Sequence, residues 1–148
     1  MNLQSADAAQ VYRRLLEGFR QSAGQDGEAR WQWLTAAHIV GQHHFRLHID
    51  SHIAMFGFAL RNRDWPEAGG QLMRLALVPV GHLSGKLPAG NIGRATVSAF
   101  QPMPLDPRST QLIMAASLAQ PRYRNFFEPG RNDVIAGFRS CAGGNPAS

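Results

Sequence analysis

The sequence predicts an all-α protein: two helical hairpins, then an irregular Gly/Pro-rich wrap, then a short C-terminal helix. Three observations carry that reading. Apolar side chains recur at helical spacing in four successive segments before residue 80. Capping residues and glycines separate those segments at hairpin distances. Beyond Val80 the periodicity stops, and Gly81, Gly85, Pro88, Gly90, Gly93, Pro102, Pro104 and Pro107 break any regular element.

The first helix is expected over 6–23, where Val11, Tyr12, Leu15, Leu16 and Phe19 form one apolar ladder and Ser5 or Asp7 can cap the start. Ala23-Gly24-Gln25-Asp26-Gly27 then turns the chain. The second helix runs from near Asp26 to near Val40 and places Trp31, Leu34, Thr35 and His38 on one face. Gly41 closes it. The third, from near His43 to near Arg61, aligns Phe45, His48, His52, Met55, Phe56 and Ala59, with His44 at the edge of the stripe and His43 facing away. After a turn at Asn62-Arg63, Asp64-Trp65-Pro66-Glu67 reads as an N-cap aspartate, a proline in the first turn and a glutamate at N3. The fourth helix is expected to bury Ala68, Leu72, Leu75 and Ala76 and to stop at Pro79.

A faint internal repeat relates Glu28-Ala29 and Ala36-Ala37 to Glu67-Ala68 and Leu75-Ala76. This fits a tetratricopeptide-like pair of hairpins, and an ordinary antiparallel four-helix bundle fits the same pattern at least as well. In the wrap, over 80–108, Leu83, Leu87, Ile92, Val97, Phe100 and Met103 are interspersed, so it should lie ordered over the helices. A short helix over 109–118 follows, with Leu112, Ile113 and Met114 as its apolar content. Residues 1–118 are thus expected to form a single domain, and 119–148 a C-terminal extension that is partly mobile.

Hydrophobic residues make up 44% of the chain and charged residues only 17%, which is the balance of a globular protein rather than a disordered one. The net charge of +5 comes almost wholly from arginine, since Lys86 is the only lysine. Those arginines are scattered as singles and pairs, with no dense block to neutralise a run of phosphates, so no specific nucleic-acid partner is expected. The lone cysteine, Cys141, excludes a disulfide framework and a thiolate zinc site. No basic-then-apolar leader opens the chain and no long uncharged apolar run occurs, so a cytoplasmic protein without a membrane span is expected.

Five of the six histidines fall between His38 and His52. His48 and His52 have the i, i+4 spacing that lets two imidazoles on one helix reach a single ion. His38, on the inward face of the preceding antiparallel helix, can supply a third ligand, and His44 is a fourth candidate. Three imidazoles without a thiolate suit zinc, copper(II), nickel or iron with an open position. Thr35, Asn91 and Arg94 are candidates for supporting partners behind the ligands, the last two if the wrap folds back over the histidines. Two alternatives stand beside metal binding. The histidines are structural, bonded to backbone carbonyls or to Thr35, Tyr12 or Gln42, and the helices dock a partner protein. Or the pocket takes a haem between Met55, Phe45, Phe56 and Trp31, or serves a small metal-dependent enzyme. Hydrolysis would need a base beside the metal; Asp50 falls on the face opposite His48, and Glu67 reads as a helix cap, so binding, sensing or storage is favoured. Gly81-His82-Leu83-Ser84-Gly85-Lys86 is one residue short of a phosphate loop and continues into Leu87. Gly90-Asn91-Ile92-Gly93 reads as a turn in which Gly and Asn take positive φ.

The same residues carry a family likeness. Leu34 with Ala37-His38-Ile39-Val40-Gly41-Gln42, His48 and His52 before Met55, and Arg63-Asp64-Trp65 with Gly70-Gln71 and Arg74 form two of its blocks. Pro88-Ala89-Gly90-Asn91-Ile92-Gly93, Val97-Ser98 and Pro102-Met103-Pro104 form the last. In these the chain resembles the bacterial family catalogued as domain of unknown function 3703, over roughly residues 10 to 112. The resemblance implies a boundary and no activity. Thr35 stands where the resemblance leads one to expect an acidic residue, and the segment beyond Leu112 has no counterpart in it.

Overall fold

The computed structural model describes residues 5–85 and 87–119. Five helices follow one another: α1 (Ser5–Gln21), α2 (Gly27–Gly41), α3 (Phe45–Arg61), α4 (Trp65–Ser84) and α5 (Pro107–Leu118). Helix α1 pairs with α2 and α3 with α4, α2 joins the two hairpins by packing on α3, and α5 lies against α1 and α2. The all-α reading holds, with the irregular wrap between α4 and α5. The extension expected over 119–148 falls, apart from Ala119, outside the described residues.

Local chemistry sets the helix boundaries. Asp26 caps α2 by accepting from the Ala29 amide at 2.8 Å, Asp64 caps α4 through the Glu67 amide at 3.1 Å, and Asp106 caps α5 through the Arg108 and Ser109 amides. Two apolar clusters weld the hairpins. Val11, Tyr12, Leu15, Ala36, Ala37, Ile113 and Ala116 fill the space between α1, α2 and α5. Phe19, Trp31, Leu34, Met55, Phe58, Ala59 and Ala68 fill the space between α1, α2, α3 and α4, where Phe58 meets Phe19 and Trp31 edge-on with ring centroids 5.3 and 4.9 Å away. Tyr12 donates its hydroxyl to Asp50 at 2.7 Å, tying α1 to α3 and occupying the carboxylate considered as a base.

Three expectations need correction. In α3 the buried stripe is rotated toward Ser51 and Phe58: Phe58 is buried, while Phe45, at the first residue of the helix, is 45% exposed. Helix α4 does not stop at Pro79 but runs five residues further, because Pro79 lies on the solvent side, where the missing amide bond to Leu75 leaves the inner face intact. The largest difference is the direction α4 faces. Leu72 and Ala76 are exposed and Leu75 only half-buried, whereas Glu67, Ala68, Gln71, Arg74 and Val78 are buried. Spacings of four, three and four residues put Glu67, Gln71, Arg74 and Val78 on one stripe, and the backbone of the wrap pulls its three polar members inward.

The wrap carries few backbone bonds of its own and takes its partners from those side chains. Arg74 Nη2 donates to the Arg94 carbonyl at 2.6 Å and to that of Val97; Glu67 Oε1 accepts from the Ala95 amide at 3.0 Å; Gln42 Nε2 donates to the Pro88 carbonyl. Asn91, buried, bonds the carbonyls of Ser98 and Gln101 and accepts from the Gly93 amide. Its φ is not positive; Gly90 and Gly93 alone take that conformation in this turn, at 70° and 75°. Among the described residues no helix is long and apolar enough to cross a membrane.

Candidate metal centre

Helix α2 delivers His38 from its last turn, and α3 delivers His48 and His52 one turn apart on its inner face. The rings form a near-equilateral triangle with centroids 4.7 to 5.0 Å apart. One ring nitrogen from each lies within 4.8 Å of those of the other two, and all three side chains are buried. Tetrahedral coordination at about 2.0 to 2.1 Å sets ligand nitrogens about 3.4 Å apart, so the triangle has up to about 1.4 Å to close.

The hydrogen bonds behind the rings decide which nitrogens are free. Ser51 donates its hydroxyl to the His48 carbonyl at 2.7 Å, so its oxygen accepts from His38 Nδ1–H at 3.1 Å. Gln71 donates both amide hydrogens, to Glu67 Oε1 at 2.7 Å and to the Gly93 carbonyl at 2.9 Å, which leaves its oxygen to accept from His52 Nδ1–H at 2.7 Å. His38 and His52 are therefore held as tautomers with the lone pair on Nε2. His48 Nδ1 shares a hydrogen bond of 3.1 Å with Nε2 of His82 on α4, and when His82 accepts, His48 has the same tautomer. Among the described residues none of the three Nε2 atoms makes a hydrogen bond.

Burial, and then the neighbouring imidazoles, hold His38 well below the ordinary histidine range and bring His48 down to about 3. His52 comes down to about 4, chiefly through burial, with the Gln71 bond opposing and the Arg74 charge adding. All three rings are neutral near pH 7, the form that coordinates a metal.

A cavity of about 40 Å³ opens beside the triad, lined by the three histidines, Gln42, Arg74 and Asn91 on its polar side and by residues including Leu77, Val78 and Leu87 on its apolar side. No carboxylate lines it among the described residues. Glu67, read as a cap, turns inward instead, to Gln71, Ala95 and Arg94. The space holds an ion and a few small atoms, with no room for a porphyrin. Met55, proposed for such a pocket, is fully buried in the apolar core.

Each remaining candidate has a definite place. His44 stands at the N-cap of α3, half-buried and outside the triad. Thr35 is buried on α2, and among the described residues no hydrogen bond joins it to His38, His48 or His52. Asn91 lines the cavity and fixes the wrap. Arg94 stacks on Trp31 at 4.2 Å and reaches Glu67 at 3.4 Å and Glu28 at 3.3 Å. Gly93 lies directly on His38: a Cβ there would meet the imidazole at 2.7 to 2.9 Å. Sequence reasoning missed Ser51, Gln71, Arg74 and His82. Gln71 and Arg74 were visible only as residues shared with a family, and His82 lay beyond a proline read as a helix stop.

No curated protein and no solved structure matches the chain. Residues 6–113 match the family described as "Protein of unknown function (DUF3703)", which takes in all four helices of the two hairpins, the wrap and every residue of the histidine site, and the chain belongs to that family.

Proposed function

We propose that the protein binds a divalent transition-metal ion through His38, His48 and His52, in a sensing, storage or handling role. One observation carries this most: His38 and His52, two of three mutually adjacent buried imidazoles, have Nδ1 anchored by acceptors with no donor left to give, so that Nε2 is free beside a small cavity. Imidazoles fixed in this tautomer present adjacent Nε2 lone pairs to the cavity, which is the donor set a metal ion takes. Three histidines with a vacant fourth direction suit zinc, and copper(II) would bind more tightly still in the same set.

Elemental analysis of the untagged protein, purified beside His48→Ala, tests the proposal. The expected result is about one equivalent of metal, lost in the variant. Absence of metal, together with unchanged melting on adding zinc, copper, nickel or iron, would overturn it.

A second reading, docking of a partner protein, is favoured by the outer face of α4. Leu72, Met73, Val80 and Leu83 are between 55% and 90% exposed along one side of that helix. The two readings use opposite faces of α4 and are compatible.

A further inference from the structure

The triad takes three of the chain's six histidines, and the other three gather beside it. His82 comes from the last turn of α4, 34 residues beyond His48, and brings its Nε2 to 3.1 Å from His48 Nδ1. His43 and His44, in the turn between α2 and α3, lie close enough for their charges to act on it. The Phe45 ring meets His82 edge-on, with centroids 5.3 Å apart, and limits its rotation. Exposure falls along the same line: His43 is exposed, His44 and His82 are half-buried, and His48 is buried. Imidazoles thus lead from solvent to the triad by way of His48.

An ion bound for a buried site has to exchange its waters for protein donors on the way in. Along the cavity the wall of Leu77, Val78, Leu87 and Phe100 offers none, and Gln42 and Asn91 are engaged with the wrap. On the His82 side two ring nitrogens already stand 3.1 Å apart, close to the roughly 3.4 Å between two ligands of one tetrahedral ion. We infer that His48 Nδ1 and His82 Nε2 form an outer metal site, a transit station from which a divalent transition-metal ion passes to His38, His48 and His52; this rests on the triad being the resting site, as proposed above. A neutral imidazole offers one lone pair at a time, so His48 changes tautomer at the handover. With the ion outside, Nδ1 binds it and Nε2 carries the proton. As the ion moves inward, its bonds to Nδ1 and to His82 break, water takes the Nε2 proton, Nε2 binds the ion, and water returns a proton to Nδ1, which then donates to His82. His48 is neutral before and after, and one ion is held at a time.

Cobalt(II) has a visible spectrum that follows its coordination, so stopped-flow mixing of metal-free protein with cobalt(II) reads loading, and mixing of loaded protein with excess chelator reads release. A station on the path lowers the same barrier from both directions. His82→Gln, whose amide oxygen still accepts from His48 Nδ1–H, is therefore expected to slow loading and release together, by about tenfold or more. His82→Cys restores a metal ligand and should recover most of the loading rate. Loading of His82→Gln as fast as that of the unaltered protein would overturn the inference and leave the triad standing. Faster release with unchanged loading would overturn it too, reducing His82 to a support that orients His48. Slow loading shared equally by both variants would do the same, reducing it to a packing residue. If the unaltered protein takes up no cobalt(II) at equilibrium, the triad reading falls and the transit site with it.

Discussion

At the scale of single residues, the triad depends on side chains that hold its histidines without belonging to it. Gln71 is the clearest, since it fixes the His52 tautomer and uses both its hydrogens to fasten Glu67 and the wrap. Gln71→Leu is expected to lower metal affinity about 10- to 100-fold, the usual loss when the partner behind a metal-bound histidine is removed. It should also destabilise the metal-free fold by about 1 to 3 kcal/mol, because the His52 Nδ1–H and the Gly93 carbonyl lose their partner. Competition against a chromophoric chelator and urea denaturation read the two effects; unchanged affinity would show that Gln71 orients nothing. Gly93 makes a different contribution. Its φ of 75° and its seat on the His38 ring both exclude a Cβ, so Gly93→Ala should cost about 1 to 3 kcal/mol in the same denaturation experiment and weaken metal binding by displacing His38.

At the scale of elements, α4 explains both what the sequence disclosed and what it withheld. The helices of the hairpins, their aspartate caps and the inward pitch of His38, His48 and His52 are local properties, written in spacings of three, four and seven residues. The orientation of α4 is not local. Glu67 reads as a helix cap and Leu72, Leu75 and Ala76 as a core face until the wrap supplies backbone groups that draw Glu67, Gln71 and Arg74 inward. His82 was hidden for a related reason. Proline in a helix interior is disfavoured by about 3 kcal/mol, so Pro79 looks like an end, yet the helix continues and brings His82 to His48. Pro79→Ala is accordingly expected to raise the melting temperature, by an amount set by how much of that penalty the folded chain still carries. A fall in melting temperature would mean that the proline's geometry is itself needed to seat the last turn.

At the scale of the whole molecule, the triad makes stability depend on pH with a definite sign. Burial first, joined by the neighbouring imidazoles at His48 and by the Arg74 charge at His52, places the folded-state values at about 3 for His48 and about 4 for His52, and His38 moves in the same direction; in the unfolded chain all three return to about 6.5. Between those limits the unfolded chain binds more protons than the folded one, so stability falls as the pH drops. The contribution is fully present above about pH 7, begins to decline as pH passes 6.5, and continues to be lost toward the folded-state values. With three such groups the slope can approach about 4 kcal/mol per pH unit, large against the 5 to 15 kcal/mol that holds a typical domain together. Metal-free protein should therefore unfold cooperatively on mild acidification, between about pH 4 and 6, with no denaturant present. A metal held by the triad, as proposed, would act on the same imidazoles: it requires their neutral form, would bind the folded chain and would add about 4 kcal/mol when present at a thousandfold excess over its dissociation constant. That increment should be largest near neutrality and vanish as protons displace the ion, so the loaded protein loses stability more steeply with acid than the metal-free one. Urea denaturation of both forms at a series of pH values from 8 to 5 measures the two slopes. Equal slopes would show that the ion binds elsewhere, and a metal-free stability that is flat below pH 6.5 would show that the triad opens to solvent before it protonates.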